Sequence, residues 1–352
     1  MKINIVLPSF PIQMTGGFKI IFEYANALAA NGHDIALYFV IQLPHDRPHR
    51  PTIYLNLKSL WLKKRRPSWF TLDSSIRTQS ILRLNKNSIR DADALLCTNC
   101  LVALELKNLP PCKGTTFNLI QGYEDWILPQ NDLLNESFRT AAHNIVIADY
   151  LVPLVENVTK KRPHVLYNAY HPEQFHITTP IAGRQPHRVA MLWHEMPKKG
   201  CNYGIEALRI CRERFPDLEV ELFGIYSNPN FDERWIHYTQ QPDNLCALYN
   251  SVAIFLTPSL NEGWGLTATE AMACGCVLVC TDTDGLRVFA HEGKTALLAP
   301  PADAEALANR LCELLENDTL RRQIAQSGSE YIQRFTWKRA VTQLEQILKN
   351  RN

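Results

Sequence analysis

Two carboxylates stand eight residues apart, Glu262 and Glu270, in the run Pro258-Ser-Leu-Asn-Glu-Gly-Trp-Gly-Leu-Thr-Ala-Thr-Glu-Ala-Met-Ala-Cys-Gly275. An apolar stretch, 276–280, follows at once, so the pair falls on a glycine-flanked loop and a short helix that lead into a strand. Carboxylates accept hydrogen bonds from hydroxyl groups. The amides of Gly263, Trp264, Gly265 and Leu266, at the start of a helix, suit an anion. Phosphate together with several hydroxyls is the chemistry of a nucleotide sugar. Thr267-x-x-Glu270 is also a capping-box pattern, so a structural role stands beside the binding role for Glu270.

The elements that must position these groups alternate along the whole chain. Ile3, Ile5, Val6 and Leu7 form a first strand ended by Pro8. Phe18, Ile21, Phe22, Ala25, Leu28 and Ala29 recur at helical spacing until Gly32, and 34–40 is the next strand. Further apolar runs at 94–97, 116–120, 144–148 and 165–166 suit a parallel sheet covered on both faces. Residues 169–187 are polar and rich in breakers and read as a linker. The alternation then restarts, with strands at 188–192, 219–223, 252–256 and 276–280 and helices at 203–215, 245–250 and 267–274. The tail is helical over 302–316, 319–334 and 336–349. Alternation of this kind predicts an α/β protein with two doubly wound parallel-sheet domains, 1–168 and 188–335.

Gly16 and Gly17 precede the first helix, where a bare backbone can approach a ligand closely; a tight turn without ligand is the plainer role. A full G-x-G-x-x-G fingerprint is missing, which argues against NAD or FAD. The 352 residues carry a net charge of +2, too small an electrostatic footprint for nucleic acid as the main partner. No apolar run is long enough to span a bilayer, and the N-terminus reads as a buried strand rather than a signal peptide. The ten cysteines are scattered, many in apolar runs. Cys97-Thr-Asn-Cys100 has no second ligand pair at zinc-site spacing, so free buried thiols in a reducing compartment are expected, with no metal.

The block from Leu248 through Pro258, Glu262 and Glu270 to Gly275, continued by Ala296-Leu-Leu-Ala-Pro-Pro301 and ending near Trp337, resembles the nucleotide-sugar site of retaining family 4 glycosyltransferases. The resemblance is specific over most of the second half and looser in the first, where the opening strand and Thr15-Gly16-Gly17 carry it. It implies the GT-B architecture, two Rossmann-like domains facing across a cleft, with the last helix, 336–352, packing back on the first domain. It assigns Glu262 to the donor sugar's hydroxyls and Glu270 to the ribose. Lys199-Gly200 resembles the family's lysine-glycine step, whose lysine binds the donor diphosphate; a fixed cation there stabilises charge on the leaving group. Many members have an arginine six residues before that lysine; this chain has Trp193, followed by His194. Arg188, His194 and Lys198 are the candidate replacements.

A family histidine near the acceptor has no match. Gln121, Tyr123, Glu124 and Trp126, at the end of a strand, are proposed to line the acceptor site or to help bind the donor sugar, an ordinary polar loop being the alternative. Lys63, Lys64, Arg65 and Arg66 lie among aromatic residues and suit an anionic membrane surface, or a merely solvated loop. The function that follows is transfer of a hexose or deoxyhexose from a nucleotide diphosphate sugar to a glycan or lipid-linked acceptor, in bacterial surface polysaccharide synthesis. The expected location is the cytoplasm or the inner face of the cytoplasmic membrane. The rivals are a nucleotide-sugar epimerase and a non-catalytic nucleotide-sugar-binding subunit.

Overall fold

The structure is a computed structural model and describes residues 1–44, 51–129 and 131–350. The chain divides into two units, one of Met1–Tyr167 with Lys338–Asn352, the other of Asn168–Trp337. Residues 351 and 352, at the end of the expected 336–352 segment, lie outside the described residues.

Among the described residues the first unit holds seven strands, β1 (Lys2–Leu7), β2 (Asp34–Val40), β3 (Arg77–Ile81), β4 (Ala94–Cys97), β5 (Thr115–Ile120), β6 (His143–Val146) and β7 (His164–Val165). They form one parallel sheet in the order β3-β2-β1-β4-β5-β6-β7. Its helices within 1–167 are α1 (Gly16–Ala30), α2 (Thr52–Leu62), α3 (Cys100–Glu105), α4 (Asn131–Thr140) and α5 (Leu151–Thr159). The sheet's centre is apolar on both faces: Ile3, Ile5, Leu37, Phe39, Leu95 and Phe117 are fully buried. Asn4 is the polar exception in β1. It is satisfied in place, since its Nδ2 donates to the Arg90 carbonyl at 2.8 Å and Arg90 Nε donates to its Oδ1 at 3.2 Å.

The second unit repeats the plan with β8 (Arg188–Leu192), β9 (Glu219–Gly224), β10 (Ile236–Gln240), β11 (Ile254–Thr257), β12 (Val277–Thr281) and β13 (Ala296–Ala299). Their order is β10-β9-β8-β11-β12-β13, again all parallel. The helices are α6 (Cys201–Arg214), α7 (Leu245–Ser251), α8 (Leu266–Ala273), α9 (Ala304–Glu316) and α10 (Asp318–Ile332). Val189, Met191, Val220, Leu222, Ile254 and Val279 form the middle of its core, with Leu208 of α6 and Leu311 of α9 packed on it. A last helix, α11 (Trp337–Lys349), belongs mainly to the first unit. Its Glu345 accepts from Asn31 Nδ2 at 2.8 Å, and its Gln343 donates to the Val165 carbonyl at 2.7 Å.

In each sheet the chain starts in the middle, runs to one edge, returns and runs to the other. The switch points lie between β1 and β4 and between β8 and β11. Loops leaving the C-terminal ends of the two central strands diverge there, and a crevice for ligands results.

Residues 168–187 group with the second unit rather than standing apart from it. Arg184 is the reason. Its buried guanidinium donates to the carbonyls of Thr179, Val252 and Cys274 and to Asn250 Oδ1. Asn250 Oδ1 also accepts from the amides of Thr178 and Thr179, at 2.8 and 3.1 Å. Uncharged acceptors, with no carboxylate among them, satisfy a charge that would otherwise be costly to bury.

Candidate active site

The second unit's switch point is where the sequence-predicted groups converge. Lys199 ends a short 3-10 turn after β8, and Glu262 lies on the loop after β11. The two loops are in backbone contact. The amides of Leu260 and Asn261 donate to the Lys198 carbonyl at 2.8 and 3.4 Å. Gly200 makes that approach possible: it sits at φ +62°, and a Cβ on it would fall 2.0 Å from the Pro258 carbonyl oxygen. Gly285, after β12, braces the other side, where a Cβ would lie 2.2 Å from the Glu262 carbonyl oxygen. Only hydrogen fits at either position, so the loop after β11 is held by Gly200 at its Pro258 end and by Gly285 at Glu262.

Lys199 Nζ is 2.6 Å from Glu262 Oε1, and the Ser259 hydroxyl donates to the same oxygen at 2.9 Å. Both side chains are mostly buried, with 22% and 11% of their surfaces exposed. Glu262 Oε2 has no partner among the described residues, and the ammonium keeps two N–H donors beyond the one it gives Glu262. The pair therefore presents an open acceptor and two charged donors side by side. That is a fit for a hydroxyl next to a phosphate. Ser259 was not singled out from the sequence, although a hydroxyl three residues before a loop carboxylate is a readable signal.

Glu270 lies inside α8, one turn in, and is buried. The capping-box role does not apply to it. The N-cap is Gly265 at φ +98°, so Thr267 is already helical and no side chain caps this end. The Tyr249 hydroxyl donates to Glu270 Oε2 at 3.4 Å. Burial first, and then Glu270, push the Tyr249 phenol well above its ordinary pKa, so it remains a donor. Leu266, Thr267 and Ala268, the first residues of α8, have amides with no intrahelical acceptor. The Trp264 side chain is buried between Phe289 and Phe335, with ring centroids 5.5 and 5.3 Å away. Its indole builds the core and leaves only its backbone for a ligand.

The three candidates for the missing arginine part company. Arg188 opens β8, at the opposite end of the strand from Lys199, and is ion-paired with Glu221 of β9. It is not a replacement. His194 accepts a hydrogen bond at Nδ1 from the Met196 amide, 3.0 Å away, and packs edge-on to Tyr226. Burial first, then Lys199 and Lys198, hold its pKa below the ordinary 6.5 despite the pull of Glu262. It is neutral near pH 7 and supplies no charge. Lys198, half-buried and next to Lys199, is the candidate that remains. Trp193 packs edge-on to Phe231 at 5.2 Å. The loop itself is anchored by Cys201, whose Sγ accepts from the His194 amide at 3.3 Å and donates to the Leu192 carbonyl at 3.4 Å.

In the first unit, Gly16 and Gly17 open α1. Neither has a positive φ, and a Cβ on Gly17 would only touch the Gln121 side chain at ordinary contact distance, 3.5 Å. A strained turn does not account for them. Gln121 Nε2 donates to the Gly17 carbonyl at 3.4 Å. Glu124 is structural at least in part: Oε1 accepts from Asn99 Nδ2 at 3.1 Å, and Oε2 accepts from the Cys100 amide, 2.6 Å away, at the start of α3. Tyr123 is half-buried and Trp126 exposed on the same loop. Cys97 and Cys100 are buried thiols whose pKa is pushed up by burial first and then by Glu124. All ten cysteines are free, and no cluster of metal-binding side chains occurs among the described residues.

The basic segment divides. Arg66 donates to the carbonyls of Leu72, Asp73, Ser74 and Ile76 and so closes its own loop. Trp69 and Phe70 pack on Phe22 of α1. Arg66 thus spends its guanidinium on its own loop, whereas among the described residues Lys63, Lys64 and Arg65 have no such loop-closing bonds; all four are exposed.

Residues 188–331 match the family model described as Glycosyl transferases group 1. The chain is 37% identical over 166 residues to D-inositol 3-phosphate glycosyltransferase of Corynebacterium aurimucosum, covering 42% of this chain and 39% of that one. It is 28% identical over 163 residues to phosphatidyl-myo-inositol mannosyltransferase of Mycobacterium leprae, 44% of each. The matched part thus spans less than half the length of these curated relatives. Solved structures match along the whole chain. Sucrose-phosphate synthase of Thermosynechococcus elongatus superposes with a TM-score of 0.74 over 98% of both chains at 17% identity. Anabaena HepE in complex with UDP gives 0.75 over 99% of this chain and 100% of that one at 14% identity. The fold is GT-B.

Proposed function

We propose that the protein is a retaining, metal-independent glycosyltransferase that moves a hexose or deoxyhexose from a nucleotide diphosphate sugar to a glycan or lipid-linked glycan. The observation that carries this reading is the Lys199–Glu262 pair at the switch point of the second sheet, with Glu262 Oε2 open. The ammonium turns its remaining donors to the diphosphate and stabilises it more as the glycosidic bond to phosphate breaks. Glu262 Oε2 accepts from the sugar's hydroxyls. Glu270 and the Tyr249 hydroxyl hold the ribose end, and the amides of Gly263, Gly265 and Leu266 add donors at the start of α8. His194 contributes a neutral N–H. Gly16, Gly17, Gln121, Tyr123 and Trp126 are the first unit's contribution to substrate binding, with Glu124 fixing their loop.

In the front-face course proposed for retaining enzymes of this type, the bond from the anomeric carbon to the phosphate oxygen breaks. The acceptor oxygen bonds to the same face, and its proton passes to the departing phosphate oxygen. No carboxylate nucleophile is needed, unlike in a retaining glycosidase. A uridine nucleotide is the first donor to try, since HepE, similar in fold, was solved with UDP and with UDP-glucose. Synthesis of bacterial surface polysaccharide is the proposed setting, on the cytoplasmic side of the membrane.

The test is a thermal-shift screen against nucleotide diphosphate sugars, followed by product analysis with and without acceptor glycans. A raised midpoint and acceptor-dependent release of nucleoside diphosphate are expected, because a ligand that favours the folded state stabilises it. Conversion of the donor sugar without acceptor would make the protein an epimerase. Donor binding with no turnover on any acceptor would make it a binding subunit.

A further inference from the structure

α2 carries two apolar stripes, and the first unit uses only one. Leu55 and Leu62 are buried against Ile41, with Phe10 and Leu82 beside them. On the opposite side Ile53, Leu57, Leu60 and Trp61 are exposed by 76, 62, 66 and 61%. Their spacing, four, three and one, puts all four on a single helical face. An eleven-residue helix is about 16 Å long, so this is a compact, continuous apolar strip and not scattered side chains. Scattered exposed apolar residues need no explanation, but a contiguous patch marks an interaction site.

The charge around the strip says what it meets. Residues 51–72 contain five lysines and arginines and no aspartate or glutamate. The rest of the chain has more acidic than basic residues, given a net charge of only +2 overall. Lys63, Lys64 and Arg65 follow the exposed face directly, and the Arg65 guanidinium lies 3.6 Å over the Trp61 ring. A second copy of the chain would bring like charges together, so a self-interface is disfavoured. An apolar face edged with cations and a tryptophan is the pattern of a helix lying in the plane of an anionic bilayer.

We propose that α2 is an interfacial membrane anchor that inserts Ile53, Leu57, Leu60 and Trp61 among the acyl chains of an anionic bilayer while Lys63, Lys64 and Arg65 contact lipid phosphates. The apolar strip gives depth, and the cations select anionic lipid. This proposal does not require the transfer activity.

The full chain is mixed with phosphatidylglycerol–phosphatidylcholine vesicles or pure phosphatidylcholine vesicles and sedimented. Binding to the anionic vesicles is expected, weakening with salt. Each cation removed among Lys63, Lys64 and Arg65 should lower the partition roughly fivefold. Leu57→Asp with Leu60→Asp should abolish binding without changing the melting midpoint, because both positions are exposed. Trp61→Phe should keep most binding and remove the quenching that brominated lipid acyl chains cause at Trp61. Equal binding of the Leu57→Asp, Leu60→Asp variant, or no binding of the parent to anionic vesicles, overturns the proposal. A dimer in sedimentation equilibrium that these aspartates dissociate overturns it in favour of a self-interface. Since no turnover is measured, these results stand apart from those on the transferase reading.

Discussion

The Lys199 ammonium and the Glu262 carboxylate, sixty-three positions apart in the chain, meet at 2.6 Å where the second sheet reverses its winding. Each offsets the other's charge and each retains capacity for a ligand. A nucleotide diphosphate sugar would replace part of that mutual contact with its own phosphate and hydroxyls.

Glu262→Gln keeps the shape and the bond from Ser259 but removes the negative charge. Transfer should fall by about 10²–10³, the usual loss when a preorganised polar contact to the reacting centre is removed. The melting midpoint should change little. Initial-rate measurements beside a melting curve decide it, and a parental rate in this variant rules out the assigned role.

Lys199→Ala should weaken binding of a nucleoside diphosphate far more than of the nucleoside. Glu270→Gln should do the reverse. Calorimetry with the two ligands gives four affinities, and equal losses for both ligands in both variants contradict the division of labour between the two ends of the donor.

His194 titrates below its ordinary 6.5, with burial the largest cause and Lys199 the next. Lys199→Ala should therefore move it upward, while Glu262→Gln should move it further down. Ring-proton shifts followed against pH read both directions. For stability the sign is fixed. The unfolded chain takes up the proton before the folded one does, so this group's contribution is complete above pH 6.5 and is lost as the pH falls towards the folded value.

Gly200→Ala puts a methyl 2.0 Å from the Pro258 carbonyl oxygen at a φ of +62°. The left-handed backbone and the overlap together should cost roughly 3 kcal/mol. A lowered melting midpoint is expected, and unchanged stability would mean that the two loops are not in register as described. Gly293→Ala is a useful control, because it shares the positive φ, +66°, but has nothing within 4 Å.

Much of this was readable in the chain because buried parallel strands are apolar throughout. The runs that became β1, β2, β4, β8 and β12 announce themselves that way. Strands β3 and β10, Arg-Thr-Gln-Ser-Ile and Ile-His-Tyr-Thr-Gln, carry no such apolar run. They are sheet edges, exposed on one side, where the core exerts little demand on composition. The site was legible through Glu262-Gly-Trp-Gly and Lys199-Gly200, since close backbone approaches demand glycine. The replacement for the family's arginine was not legible. Nothing in a linear sequence says that Arg188 begins its strand facing Glu221, or that the Met196 amide donates to His194 Nδ1. Nor does it say that Arg66, one of four neighbouring cations, binds four carbonyls of its own loop.

The Arg184 knot has an outcome for handling the protein. Thr178-Thr-Pro-Ile-Ala-Gly-Arg184 looks like a stretch that a protease would cut first. Its backbone is held through Asn250 Oδ1 and the guanidinium, and a protease must peel several residues into an extended strand before it can cleave. Limited digestion of the native protein should leave this stretch intact, and Arg184→Ala should open it to nicking.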